Sequence, residues 1–366
     1  MARIHNFSAG PASLPLPVLE ELRDALVDFR GGGAGIMEIS HRGKVFQSVI
    51  DSAMSRMRSL FAIPSDYAVL FLQGGATQQF HQVPLNLIGA GGAADYVGTG
   101  TWSSKAFKDA RRVGDAVWAF DGKTVDFRRI PTDAELQVRT EATYLHYTTN
   151  NTIYGTQFHR TPRSPVPLVV DMSSDIGCRP FDVAAHDLIY AGAQKNLGPS
   201  GVTAVILSPW AVEQSRRTAA ALPQGLPAIL DYGLYVDDGS MYNTPNTFGI
   251  YALERVLAWI EGLGGLSAME VRNRAKAELL YAELDRSAFW TPRAQADSRS
   301  WMNVTWRLPT DELDAAFVKE AEAAGLAALK GHRSAGGIRA SLYNAIELES
   351  VQALVDFMQE FERRRG

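Results

Sequence analysis

Between Tyr67 and Leu207 short apolar runs alternate with amphipathic or turn-rich stretches, the rhythm of βαβ units that build a mostly parallel sheet covered on both faces. The runs Ala68 to Leu72, Asp95 to Val97, Ala116 to Phe120, Thr143 to Tyr147, Leu168 to Asp171, Leu188 to Ala191 and Val202 to Leu207 are short and bounded by polar residues or glycine, and they predict seven strands. After Leu207 the texture changes. Ala219 to Pro245 is rich in Pro, Gly, Asp and Tyr without a clear period and predicts a long irregular excursion. Phe248 to Glu261 and Ala268 to Leu284 carry apolar residues at helical spacing on either side of a turn from Gly262 to Gly265. The C-terminal part predicts a strand at Trp301 to Arg307, a helix at Thr310 to Ala324, a strand at Gly337 to Leu342 and a helix at Glu347 to Arg365. The expected architecture is α/β: a mostly parallel seven-stranded sheet flanked by helices in a large domain of residues 16–262, with a smaller α+β domain made of 1–15 and 263–366. Ligands of such sheets sit outside the carboxyl ends of the strands, so chemistry is sought there.

Composition narrows the class. The 366 residues are 46% hydrophobic and 21% charged, which excludes disordered, collagen-like and disulfide-scaffold proteins. Lys plus Arg number 36 against 40 Asp plus Glu, a net charge of -4 with no long run of either sign, so nucleic acid is not an expected partner. The single cysteine, Cys178, forms no internal disulfide and suits a reducing compartment. Met1 to Pro17 lacks the apolar core of a signal peptide, and no apolar run approaches the roughly 18 residues of a membrane span. A cytoplasmic protein, neither exported nor membrane-spanning, is expected. The histidines are scattered, without HExxH or Cys/His ligand spacing, so no metal site is expected.

The segment from Leu188 to Gly201, LIYAGAQKNLGPSG, is an apolar strand that ends in small residues, presents Lys195 and turns sharply through Gly198-Pro199-Ser200-Gly201. Among apolar neighbours an ammonium is desolvated, and burial lowers a lysine pKa by up to about 3–5 units, leaving a free amine able to attack a carbonyl. Lys195 is thus a candidate Schiff-base lysine. Taken alone, a solvated lysine in a strand-to-turn connection fits the segment equally. Upstream, Pro167-Leu-Val-Val-Asp171 delivers a carboxylate at the end of a buried strand, where an unpaired charge is costly. The protonated ring nitrogen of a pyridoxal phosphate would supply its partner, and the pair would keep the ring electron-withdrawing enough to stabilise a substrate carbanion. A turn or helix-cap aspartate with Ser173 and Ser174 is the alternative.

Gly74-Gly75-Ala76-Thr77, between an apolar strand and an apolar-periodic stretch through Leu87, offers peptide N–H groups to a phosphate, where the helix dipole adds about 0.3–1 kcal/mol. A plain strand-turn-helix would show the same glycines. Gly98-Thr99-Gly100 resembles half a dinucleotide fingerprint, but Ser103 stands where the last glycine belongs, and a nicotinamide site is discounted. Trp102 offers an aromatic face to a flat cofactor ring; a buried core tryptophan fits as well.

Further motifs run nearly end to end: Asn6-Phe-Ser-Ala-Gly-Pro11, Glu38-Ile-Ser-His-Arg-Gly43, Asn151-Thr-Ile153, Tyr190-Ala-Gly-Ala-Gln-Lys-Asn196, Asn243-Thr-Pro245, Lys330-Gly-His-Arg333 and Arg339-Ala-Ser-Leu-Tyr-Asn344. With Gly74-Gly-Ala76, Trp102 and Asp171 they make the chain resemble the phosphoserine aminotransferase family, fold type I pyridoxal phosphate enzymes of the class V aminotransferase group. The resemblance implies that Lys195 carries pyridoxal 5'-phosphate as an imine, Asp171 pairs with its pyridinium and Trp102 stacks on its ring. It implies that Thr152 and Gln194 contact the cofactor and that Ala76 and Thr77 bind its phosphate. It further implies a homodimer with active sites at the subunit interface, where Asn243 and Thr244 reach that phosphate from the neighbouring chain. The implied reaction moves an amino group between L-glutamate and 3-phosphohydroxypyruvate, giving O-phospho-L-serine and 2-oxoglutarate in serine biosynthesis. A phosphohydroxythreonine branch of pyridoxine synthesis is left open. The chain departs from the family pattern at Thr77, where some members carry arginine, and at Asn151, where glutamate is common.

Both substrates carry an α-carboxylate and a second anionic end, which asks for two cationic clamps a substrate length apart. Arginine's planar fork suits carboxylate and phosphate bidentately. By resemblance Arg339 holds the α-carboxylate, while His41 and Arg42 of the other chain, with His332 and Arg333, meet the distal group. Ser8 and Ala9 would close the pocket through their backbone, where Gly10 allows close approach. Each cation also fits a plain surface residue. A cysteine desulfurase is rejected on position, because Cys178 follows the Asp171 strand. The remaining alternatives are a serine- or alanine-glyoxylate-type aminotransferase, which needs no phosphate clamp, and a non-catalytic phospho-ligand-binding protein on the same fold.

Overall fold

A computed structural model describes residues 3–89 and 91–366; Met1, Ala2 and Ala90 lie outside the described residues. The chain opens with strand β1 (His5–Asn6) and helices α1 (Leu16–Ala25) and α2 (Lys44–Leu60). The alternating part follows as β2 (Ala68–Leu72), α3 (Gly75–Leu87), β3 (Ala93–Gly98), α4 (Thr101–Ala110), β4 (Asp115–Asp121), β5 (Leu145–Thr148), β6 (Leu168–Asp171), β7 (Leu188–Gly192) and β8 (Thr203–Leu207). Helices α5 (Pro209–Ala221), α6 (Tyr232–Asp237), α7 (Thr247–Gly262) and α8 (Gly265–Arg286) come next. The C-terminal part is β9 (Thr291–Pro292), β10 (Asn303–Arg307), α9 (Asp311–Ala323), β11 (Leu326–Ala327), β12 (Ile338–Ser341) and α10 (Leu348–Arg365).

Each of the strands expected between Tyr67 and Leu207 is present, and among the described residues they form one seven-stranded sheet in the order β2-β8-β7-β6-β5-β3-β4. Strands β4, β3, β5, β6 and β7 run parallel to one another, and β8 runs antiparallel between β7 and β2. The reversal has a simple cause: the turn between Gly192 and Thr203 is too short to hold the helical crossover that a parallel partner needs. Side chains alternate across the sheet with a period of two. Val69, Phe71, Val170, Ile189 and Ile206 pack with α1, α2 and α7, while Leu70, Val169, Tyr190 and Val205 pack with α3, α4 and α5. Helix α2 turns the stripe Phe46, Val49, Ile50, Ala53, Met57 inward, the spacing of a helix with one apolar face. Burying each of Phe46, Val49, Ile50 and Met57 contributes roughly 1.5–3 kcal/mol.

The excursion expected over Ala219 to Pro245 is corrected. It holds the end of α5, a 3₁₀ turn at Ala228–Leu230, and α6, which Asp231 starts by accepting the Gly233 N–H at 2.7 Å. A six-residue helix is too short to display a period, and its buried Tyr232 and Tyr235 sit among prolines and glycines.

The C-terminal strands make a second, three-stranded antiparallel sheet in the order β12-β10-β9, and β1 pairs parallel with β11 beside it. Register opposes Asn303 to Ser341 and Thr305 to Arg339. Alternation then sends Val304, Trp306, Ile338 and Ala340 into an apolar cluster with Phe317, Leu354 and Phe361. Asn303, Thr305, Arg339 and Ser341 share the opposite face, which turns toward the large sheet.

Candidate active site

Strand β7 delivers Lys195 through Ala193, whose N–H bonds to the Val202 carbonyl at 2.9 Å and closes the turn. The lysine is 9% exposed, and its Nζ donates to Thr152 Oγ1 at 2.8 Å. Burial pulls its pKa down to about 8, with Asp171 pulling the other way. The solvated-lysine alternative is therefore overturned by burial. Gly10, at φ +134°, lies against the stem: a Cβ there would stand 3.5 Å from both Cγ and Cε of Lys195. The Ala12 N–H bonds to the Gln194 carbonyl at 2.9 Å, so the N-terminal segment is tied to the lysine turn.

Asp171 ends the adjacent strand β6. Its carboxylate is buried and accepts the Ser173 N–H at 2.9 Å, so the turn geometry read from Ser173 and Ser174 is present too. The side chain and N–H of Ser173 do not offset burial, which pushes the carboxyl upward; the Lys195 ammonium opposes the shift electrostatically but is hydrogen-bonded to Thr152 instead. Helix α3 begins at Gly74 (φ +87°) and Gly75 (φ +64°), with no side chain capping its first N–H groups. At the left-handed φ of Gly74 a Cβ would also stand 2.6 Å from Gln78 Cβ, so this helix start favours glycine. Ser103 Oγ accepts the N–H groups of Thr99 and Gly100, each at 3.0 Å, and starts α4, which is why a serine stands at that point.

These elements meet around a cavity of about 370 Å³ walled by Ala9, Ala76, Thr77, Trp102, Thr152, Asp171, Gln194, Lys195, His332 and Arg339. The Trp102 indole N–H is buried there without a partner among the described residues, and Lys105 Nζ lies 4.6 Å from the centre of its ring. Arg339 Nη1 donates to the Thr152 carbonyl at 3.3 Å, leaving its Nε unpartnered among the described residues. His332 is held by Ser334, whose N–H reaches Nδ1 at 3.2 Å. Burial and the cations Arg339, Arg333 and Lys105 push its pKa down. A neutral ring accepting at Nδ1 carries its proton on Nε2.

The other named residues lie elsewhere. Arg333 lines a neighbouring cavity of about 380 Å³ with Arg307 and Lys330, on the far side of His332. Ser8 does not line the cavity, and its N–H is taken up by Asn6 Oδ1 at 3.1 Å. His41 and Arg42 do not line the cavity of their own chain, nor do Asn243 and Thr244. Asn243 Oδ1 accepts the Tyr235 hydroxyl at 2.9 Å, and the Thr244 carbonyl accepts Gln73 Nε2 at 3.1 Å. Sequence reasoning missed Asn150 and Phe80 as wall residues. The signal for Asn150 was its place just past the end of β5, the same position relative to the sheet that exposes Asp171 and Lys195.

A mostly parallel sheet whose strand ends gather a buried lysine, a buried carboxylate and an uncapped glycine-led helix is the arrangement of an aminotransferase, and the chain belongs to the family described as Aminotransferase class-V, which matches residues 4–354. Within it, several relatives that are 48–50% identical to this chain over nearly its whole length are named phosphoserine aminotransferases. A phosphoserine aminotransferase of Geobacillus kaustophilus is 49% identical over 365 residues, 100% of this chain and 99% of the relative. The solved phosphoserine aminotransferase from Bacillus circulans subsp. alkalophilus superposes with a TM-score of 0.94 at 48% identity, covering 100% of this chain and 99% of that one. A PLP-bound phosphoserine aminotransferase from Trichomonas vaginalis superposes with a TM-score of 0.90 at 36% identity, covering 98% of this chain and 100% of that one.

Proposed function

We propose that this protein is a pyridoxal-phosphate-dependent aminotransferase that moves the amino group between L-glutamate and 3-phosphohydroxypyruvate. The observation that carries the reading is the pairing, in one cavity, of a buried amine whose pKa lies near 8 with a buried carboxylate that lacks a cation of its own. Full-length similarity to phosphoserine aminotransferases supports the choice of substrates.

The residues fit the cofactor. Asp171 would hold the protonated ring nitrogen, which returns the carboxylate to its charged form. The free N–H groups of Ala76 and Thr77 at the start of α3 would hold the phosphate, with Trp102 against the ring and Thr152 and Gln194 beside it. When bound, the group supplies an electron sink for the carbanion formed at the substrate α-carbon. Lys195 does the proton work: its neutral amine takes the α-proton of the amino donor and delivers one to the α-carbon of the keto acid in the return half-reaction. A pKa near 8 leaves an appreciable share of neutral amine at physiological pH. Arg339 orients the α-carboxylate through its fork, and the Nε2–H of His332 faces the distal anion with Arg333 behind it.

A homodimer completes the site in this reading, with His41, Arg42, Asn243 and Thr244 serving the partner's cavity. Its support is that these residues miss their own cavity while Leu16, Val27, Met37 and Tyr242 hold apolar surface exposed nearby in sequence. We place the large domain at 16–262 and the small one at 1–15 with 263–366, supported by the separate apolar cluster of the C-terminal part. A cytoplasmic setting suits the buried free thiol of Cys178.

Spectral titration tests the reading. The purified protein should show a visible absorption band that glutamate bleaches and 3-phosphohydroxypyruvate restores. Equal restoration by glyoxylate would move the assignment to a glyoxylate-type enzyme, and no band at all would leave only a binding protein.

A further inference from the structure

The polar face of the small sheet meets the loop after β5 at every second residue. Asn303 Oδ1 accepts Asn150 Nδ2 at 2.7 Å, Arg339 Nη1 reaches the Thr152 carbonyl at 3.3 Å, and Thr305 Oγ1 donates to the Tyr154 carbonyl at 3.1 Å. The loop cannot move away from this face without vacating a close fit. At Gly155, φ +76°, a Cβ would stand 2.6 Å from Thr305 Oγ1 and 2.9 Å from the Asn303 carbonyl. Asn303 is 0% exposed, and while its Oδ1 takes the Asn150 bond, both Nδ2 hydrogens are used, on Ser341 Oγ at 2.9 Å and the Tyr343 hydroxyl at 3.2 Å. Asn150 Nδ2 donates in addition to Ser174 Oγ at 2.9 Å, three residues beyond Asp171. Between the two anchored ends sits Thr152, whose hydroxyl holds Lys195 and whose carbonyl holds Arg339.

We infer that Asn303 and Thr305 are positioning residues: by pinning the loop on either side of Thr152 they set the separation between the Lys195 amine and the Arg339 fork, and hence the fit of a substrate between amine and carboxylate clamp. Neither touches the reacting atoms. The inference rests on the aminotransferase reading for its substrate, but the geometry is of this chain's own side chains. A buried amide with both N–H donors and its oxygen engaged rigidifies what it joins, so the spacing of amine and clamp, and with it substrate affinity, depends on these bonds.

Thr305→Val removes one hydrogen bond at nearly constant volume, and Thr305→Ser restores the hydroxyl. In the holoenzyme, Thr305→Val should raise KM for glutamate and for the keto acid together by about 5- to 20-fold with kcat within about threefold, and Thr305→Ser should behave as wild type. Calorimetry with succinate, an unreactive dicarboxylate, should show its Kd raised by the same factor while the visible absorption band persists. Asn303→Ser should act in the same direction, and if it fails to fold the Thr305 pair decides. Folded variants with unchanged KM and unchanged succinate Kd, or a Thr305→Ser no better than Thr305→Val, overturn the inference. Wild type without a visible band overturns the earlier reading instead, and succinate binding then judges the placement of Arg339 by itself.

Discussion

Two lysines of this chain are buried, Lys195 past the end of β7 and Lys276 on α8, and burial lowers both, to about 8 and about 7. Their surroundings differ in kind. Lys276 is 2% exposed, and its Nζ donates to the carbonyls of Leu342 and Tyr343 at 2.9 and 2.8 Å. Those two bonds hold the chain just after the Arg339 strand. Lys195 has one hydroxyl as partner, borders a cavity, and has Asp171 within electrostatic reach. A depressed pKa therefore does not by itself distinguish a reactive amine from a structural one. Open volume beside the amine and a carboxylate short of a partner do, because a site meant for a ligand must leave hydrogen-bonding capacity unused until the ligand arrives.

Exchanging each residue's environment sharpens the contrast. Lys195→Ala has the largest expected effect: amino transfer falls by about 10⁴-fold and the visible band disappears, whereas Lys276→Met keeps the band. Activity of Lys195→Ala within tenfold of wild type would break the distinction. Asp171→Asn leaves the amine in place but removes the unpaired carboxylate beside it, and should lower turnover by about 10²–10³-fold with an unchanged melting temperature. A variant retaining full turnover would show that the carboxylate is incidental.

Lys276→Met has the smallest catalytic effect and a measurable structural one. It strands two carbonyls, which costs about 1–3 kcal/mol in a denaturant titration, while turnover stays near wild type. The pH dependence has a definite sign. The folded-state pKa of Lys276 is about 7 against 10.5 for an ordinary lysine, so between these values the unfolded chain binds the extra proton and this residue makes stability rise with pH. The variant lacks that contribution. The stability of wild type minus that of Lys276→Met should therefore grow from about pH 7 upward, and a flat difference would mean that the two carbonyls keep the ammonium charged when folded.

The strands of the large sheet were legible because both faces of that sheet are covered, so most of them are short, largely apolar runs bounded by polar residues or glycine, with Asp95 in β3 and His146 in β5 as buried exceptions. That same rule exposed Asp171 and Lys195, since both stand where a run stops. It failed at α6, which is too short for a period to emerge, and although it found β10, the alternation of Asn303 and Thr305 with apolar neighbours carried no sign of what those two side chains meet. In the fold the loop after β5 covers Asn303 and Thr305 and takes up their hydrogen bonds.

By itself, then, the sequence determined the α/β order of elements, the chemistry available at each strand end, and the glycines that let α3 begin uncapped, all of which are local consequences of side-chain size, polarity and backbone freedom. Only the tertiary structure decided which of those groups share a cavity, that Arg333 lies across His332 from it, and that Thr152 is held from the small sheet. Proximity between residues 151 and 153 positions apart depends on how sheets pack and on where buried polar groups find partners, and one-dimensional periodicity does not carry that information.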